Sequence, residues 1–470
     1  MATGKYLSKK RKRRLNPRFF IFLLVLAIAS GGAVYLVTNG LPLPSSSQPD
    51  PTGSTVGGGF ESILNGLFSP DAETTAAPTT EPLPTDPYVT STASIGVTGD
   101  IMGHMPVINA GKVGNDYDFS DIYQYIKPYY ESFDLMVANL EVNLGGPEAG
   151  PYQGYPTFNS PDAMAKSLLD AGVDMVLTAN NHSYDIGHNS FIRTQNTLND
   201  MGLDYLGTRL NADDPVYTVR DINGIKVGMV CYTYETGDPA SSRKQLNGIN
   251  MSEQDSLLIG SFNYNDLDGF YAEVEETLQA MEVEGAQATM VYIHWGDEYA
   301  LSPNQNQKNI AQQLCELGVD VIVGGHPHVV EPFTTLTSTD GHQTYCIYSV
   351  GNAISNQRTD TLASTTKNAP YTEDGMIFNV VFRQWNDGTV EVGEINILPT
   401  WVNKETKNGR VTYSIIPLDM AVPSWDGYDV GNINSTYASY KRTMSIIGEG
   451  LNECRQALSL PTVALDPNKE

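Results

Sequence analysis

Six short apolar runs in this 470-residue chain each end in a cluster of carboxylate, carboxamide or imidazole side chains. ASIGVT leads into Gly99-Asp100, with His104 four residues on, and LMVA leads into Asn139-Leu140-Glu141. MVLT is followed by Ala179-Asn180-Asn181-His182 with Asp185 close behind, and MVYI by His294-Trp295-Gly296-Asp297-Glu298. VIVG runs into Gly325-His326-Pro327-His328, and CIYSV into Gly351-Asn352. Segments of helical period lie between the runs, the alternation expected of βαβ units around a largely parallel core. Ligands and catalytic groups in open α/β sheets gather at the carboxyl ends of strands. The polar clusters should therefore meet.

Taken singly, each cluster is ordinary in chemistry, because an Asp after a strand commonly caps a helix. Six in register are harder to assign to caps, since caps need no imidazoles, and five of the seven histidines fall in these segments. Imidazole with carboxylate and amide oxygen suits Mn, Fe or Zn rather than Ca. A carboxylate bridging two ions about 3.5–4 Å apart is a recurrent arrangement for phosphoryl or acyl chemistry. His182 with Asp185 three residues on reads as an imidazole–carboxylate pair, the carboxylate setting the tautomer of a general acid. Gly99, Gly296, Gly325 and Gly351 would let backbone come close to bound ions.

Strands are expected at Ser94–Thr98, Leu135–Ala138, Met175–Thr178, Lys226–Tyr232, Thr289–Ile293, Val319–Val323 and Thr344–Val350. Helices are expected at Pro161–Ala171, Ser190–Met201, Leu267–Val283 and Asn304–Leu317, stopped by Gly172, Gly202, Gly285 and Gly318 in C-cap position. Asn223-Gly224 is a strong turn signal for a hairpin over Val216–Tyr234. Arg243–Asn265 is polar and reads as a surface insertion. From Asp374 the pattern changes to antiparallel alternation, and Ser435–Leu458 reads as a closing helix. The Tyr-rich stretch Tyr117–Tyr130 reads as a helix packed on the sheet. Trp295 suits either stacking on a substrate or shielding the site.

Ahead of this body, Phe19 to Val37 is uncharged and apolar, close to the roughly 20 residues that cross a bilayer. Eight of the 28 Lys and Arg residues precede it, within residues 1–18, which hold no acid. That asymmetry keeps the tail cytoplasmic and sends the body outward. A cleaved signal peptide is the other reading, with Ala27-Ile28-Ala29 as a small-residue site. The remaining 20 basic residues face 54 acidic ones, a balance that repels nucleic acid. The expected layout is a basic tail over 1–18, a transmembrane helix over 19–38, a Pro/Ser/Thr/Gly-rich disordered stalk over 39–91, a body over 92–400 and a C-terminal extension over 401–470. Cys231, Cys315, Cys346 and Cys454 show no metal spacing and read as small buried side chains.

The ordered segments TGDIMGH, ANLEV, TANNHSYDIG, YIHWGDEY, QKNIAQQL, GGHPHVVE and YSVGN resemble the poly-γ-glutamate capsule biosynthesis protein CapA family, itself similar to calcineurin-like metallophosphatases. The resemblance covers roughly Ser94 to Trp401. It implies an α/β fold, a sandwich of two mixed β-sheets flanked by helices, with two divalent ions at one edge. By position it implies Asp100, Glu141, Asn181, His294, His326 and His328 as metal ligands and His182 as the catalytic histidine. Two departures stand out. The phosphatase Asp-x-His is here Asp100-x-x-x-His104, and the Gly-Asp-x-x-Asp-Arg-Gly segment is replaced by Asn139-Leu140-Glu141. His104, Glu298 and Asn352 are candidates either for metal ligation or for orienting the histidines.

With the apolar run expected to hold the chain at the membrane, the resemblance implies a role in biosynthesis or export of poly-γ-glutamate or a similar anionic surface polymer, as a metal-dependent hydrolase or transferase. Two alternatives stay open: a non-catalytic accessory subunit of a membrane synthase or exporter, and a phosphoesterase acting on a small phosphorylated substrate.

Overall fold

The computed structural model describes residues 86–237, 243–422 and 424–466. The expected membrane helix and nearly all of the stalk lie outside them. No helix among the described residues is long and apolar enough to cross a membrane. The chain from Pro82 onward forms one compact unit.

Two mixed sheets dominate it. One has the strand order Arg410–Pro417, Val390–Lys407, Asp374–Trp385, Val89–Ile101, Leu135–Leu140, Met175–Leu177 and Asp204–Leu206, with Asn352–Ile354 added beside Val89–Ile101. Its last four strands are parallel, and the strands after Asp374 are antiparallel. The other runs Ser261–Phe262, Ile225–Tyr234, Ala288–His294, Val321–Gly325, Gln343–Ile347 and Phe333–Thr337, and Tyr217–Ile222 pairs with Ile225–Tyr234.

Strand alternation builds the layers. Ile95, Val97, Val137 and Phe378 of the first sheet share a buried cluster with Val227, Met229, Met290, Tyr292 and Val323 of the second. The intervening residues face outward onto helices. Met136, Ala138 and Leu140 pack with Met164, Ala165 and Leu168 of the Ala163–Asp170 helix. Val230, Val291 and Ile293 pack with Phe270 and Val274 of Leu267–Val283 and with Ile310 and Leu314 of Gln305–Glu316. The result is a helix–sheet–sheet–helix sandwich. Ile122, Tyr123, Ile126 and Tyr130 of the Tyr-rich stretch are core residues behind the first sheet.

The Arg243–Asn265 segment departs from expectation. Leu246, Met251, Leu258 and Ile259 are buried in the sandwich core, so the segment is part of the body, its apolar side chains too widely spaced to read as periodic. The strand Val390–Lys407 also runs through the expected boundary at residue 401. The helix Ile433–Ala457 lays Tyr440, Met444, Ile447 and Leu451 on the same core.

Candidate metal centre

Parallel pairing aligns the strand ends. Asp100 is in register with Asn139 on one side and Asn352 on the other, and His294 is in register with Gly325. Close approach of backbones is needed to bring them there. A Cβ on Gly99 would lie 1.9 Å from Gly351 O, and one on Gly324 would lie 1.9 Å from Tyr348 O. Only glycine fits either place.

Glu141 occupies the middle. It is fully buried, and its Oε1 has no hydrogen-bond partner. That oxygen lies 3.4 Å from His294 Nε2, 3.9 Å from His328 Nε2 and 4.0 Å from His182 Nε2. Glu141 is common to two sets whose ligand atoms lie within 4.8 Å of one another: Glu141, His294 and His326, and Asp100, Glu141 and His328. His326 Nδ1 is likewise buried and unpaired. Unpaired polar atoms cost about 1–3 kcal/mol each when buried. A cation would satisfy both, and the oxygen–imidazole donor set is of the right chemistry. The residues fit a metal site.

The remaining side chains aim these groups. Asp100 accepts from Asn139 Nδ2 at 2.7 Å and lies 3.0 Å from His328 Nδ1. Burial alone would raise Asp100, but the hydrogen bond and charge of His328 outweigh it and leave the carboxyl below its usual range. Burial pushes His328 down, yet Glu141 and Asp100 raise it to about 9. Asn352 orients His328: its Oδ1 is 3.2 Å from Nδ1, and its amide donates to the carbonyls of His328 and Thr372. Asn181 Oδ1 is 2.8 Å from His294 Nε2. His326 and His328 hold φ of +96° and +55°, conformations that cost about 1–3 kcal/mol each away from glycine. Burial, then the charges of His294, His328 and His182, keep His326 well below the usual imidazole range.

His182 and Asp185 form a pair at 2.7 Å, and the His182 ring stands edge-on to Phe158 at 4.7 Å. Not every candidate joins the centre. His104 is half-buried, accepts from Asn356 N–H at 3.3 Å and abuts the same Phe158 ring, outside both ligand sets. The longer Asp100-to-His104 spacing carries it past the centre, and burial pushes it down to about 3. Glu298 is exposed on the rim, and its hydrogen bond is to Tyr299 rather than to a histidine. Trp295 is fully buried, donating to Tyr348 O at 2.9 Å, so it is a core side chain. Sequence reasoning missed Tyr234, whose hydroxyl is 3.2 Å from His326 Nε2, and Asn247, whose amide reaches Asp185. Tyr234 ends an apolar strand without an imidazole after it. Asn247 is followed by Gly248, a turn signal equal to Asn223-Gly224.

The family model for bacterial capsule synthesis protein PGA_cap matches residues 94–357. Capsule biosynthesis protein CapA of Bacillus anthracis is 26% identical over 269 residues, 56% of this chain and 59% of that protein. PGA biosynthesis protein CapA of Bacillus subtilis (strain 168) is 24% identical over 281 residues, 57% of this chain and 65% of that protein. The chain thus spans less than two thirds of either relative. Among solved structures, TT1561 of Thermus thermophilus is similar at a TM-score of 0.33 and 9% identity, covering 61% of this chain and 94% of that one. A likeness that remote carries no functional weight.

Proposed function

The chain belongs to the bacterial capsule synthesis protein PGA_cap family, and from that premise we propose a membrane-anchored protein that makes or exports poly-γ-glutamate or a similar anionic surface polymer. In this reading its extracytoplasmic body is a metal-dependent hydrolase or transferase of the calcineurin-like kind. The observation that carries it is the unpaired Glu141 Oε1, buried among three imidazoles. Membrane attachment rests on the apolar run Phe19 to Val37 and the basic residues before it.

Asp100, Glu141 and His328 would hold one divalent ion, and Glu141, His294 and His326 a second, with Asn181 beside His294. The chemistry supplied there by Mn, Fe or Zn is Lewis acidity toward a carbonyl or phosphoryl oxygen. The protein's own residues do the rest. Asp100 and Asn352 turn His328 so that Nε2 faces Glu141. Asp185 keeps the His182 proton on Nδ1 and leaves Nε2 to exchange a proton with a reacting group. Phe158, fully buried against the His182 ring, excludes water from that side.

The test is polymer analysis of a deletion strain complemented with wild type or Asp100→Ala, alongside mass-spectrometric metal content of both proteins. Loss of polymer together with loss of metal is expected. Undiminished polymer from Asp100→Ala, with a synthase co-purifying as well as with wild type, would instead make the chain an accessory subunit.

A further inference from the structure

Gln245–Leu246 and Ile249–Asn250 pair as a minimal hairpin. Its two turn residues, Asn247 and Gly248, both have positive φ, +48° and +73°. A type I′ turn demands this, and Asn-Gly supplies it best. The hairpin is pinned from below. Leu246 and Met251 are buried in the sandwich core, Gly248 N–H donates to Thr236 Oγ1 at 2.8 Å, and Thr236 N–H donates to Gln245 O at 2.9 Å. The turn is thereby held over His182 and Asp185.

The Asn247 amide nitrogen lies 2.8 Å from Asp185 Oδ1, 3.0 Å from Pro156 O and 3.3 Å from His182 Nδ1; its two hydrogens go to the two nearer oxygens, which leaves Nδ1 free to carry its own proton. The other Asp185 oxygen accepts from Phe158 N–H and from His182 Nδ1, both at 2.7 Å. Two segments distant in sequence, at Phe158 and Asn247, thus join the neighbouring His182 in gripping one carboxylate. Hydrogen bonds on both oxygens stop it rotating, whereas a carboxylate held through Oδ2 alone could swing. We propose that Asn247 is a positioning residue, clamping Asp185 so that His182 keeps its Nδ1 proton and presents Nε2 to the centre. This rests on the reading that His182 exchanges a proton there.

Two variants separate the amide from the turn. Asn247→Gly keeps the left-handed conformation and removes the amide, while Asn247→Ala disturbs both. The readout is the ring ¹⁵N and Nδ1–H spectrum of His182 in the full chain, at fixed pH, with and without Zn²⁺, assigned by its loss in His182→Gln. In both variants the hydrogen-bonded Nδ1–H signal is expected to vanish into solvent exchange while zinc content stays at the wild-type level. Polymer output should fall about a hundredfold, as for a displaced catalytic group. A wild-type His182 spectrum in Asn247→Gly, with loss confined to Asn247→Ala, overturns the proposal, because the turn alone would then matter. Loss of zinc from Asn247→Gly overturns it too, by placing the effect at the ligands. Failure of the wild type to bind zinc sinks the metal reading instead, and the zinc-free spectra still decide the role of Asn247.

Discussion

His326 has one ring nitrogen 3.2 Å from the Tyr234 hydroxyl and the other buried without a partner. An Nδ1 lone pair offered to a cation requires the proton on Nε2, which then donates to the Tyr234 oxygen. Outer partners of this kind are worth about 10–100-fold in metal affinity. Tyr234→Phe should therefore weaken zinc binding at least about tenfold in a competition titration, and an unchanged affinity would remove Tyr234 from the site. His328 adds a pH dependence. Its neighbours raise it to about 9, so below that pH it carries a proton that ligation must displace. Zinc affinity should fall by about tenfold for each unit by which pH is lowered below about 9, and level off above it. A flat profile would mean that His328 is not a ligand.

At the scale of elements, a buried ion pair ties the Ile433–Ala457 helix to the strand that begins at Asp374. Arg442 Nε and a terminal nitrogen each lie 2.6 Å from an Asp374 oxygen, a bidentate grip on an almost fully buried carboxylate. Removing one partner strands the other, at a cost of about 3–5 kcal/mol. Arg442→Ala should show that loss in urea denaturation, and a change below about 1 kcal/mol would mean that water reaches Asp374. The longer elements were legible because their patterns repeat. The Leu267–Val283 helix has the bounds its apolar spacing and Gly285 stop imply, and the Asn223-Gly224 hairpin forms with φ of +54° and +87°. The Asn247-Gly248 turn carries the same dipeptide signal, but its strands of two residues show no alternation to mark a hairpin around it.

For the molecule as a whole, metal binding and folding should be linked. The ligands come from strands of both sheets, so an ion held between them favours the folded state alone. Zinc at about 100 times its Kd should stabilise the body by about 2.7 kcal/mol, and a chelator should lower the Tm correspondingly. Identical melting with zinc and with chelator would show that no ion bridges the sheets. Alternation and helical period, local properties of the chain, were enough to determine many of the strands, four of the helices and the strand-end clusters that supply Asp100, Glu141, His294, His326 and His328. The two-sheet sandwich was implied by the family resemblance, and short strands such as Asp204–Leu206 and Ser261–Phe262 were not foreseen. Only the tertiary structure decided that His104 and Glu298 stand outside the ligand sets, that Trp295 is core, and that Tyr234 and Asn247 reach the histidines. Those outcomes depend on side-chain direction and on contacts between distant segments, such as the 62 residues separating Asn247 from Asp185, for which no local pattern encodes a distance.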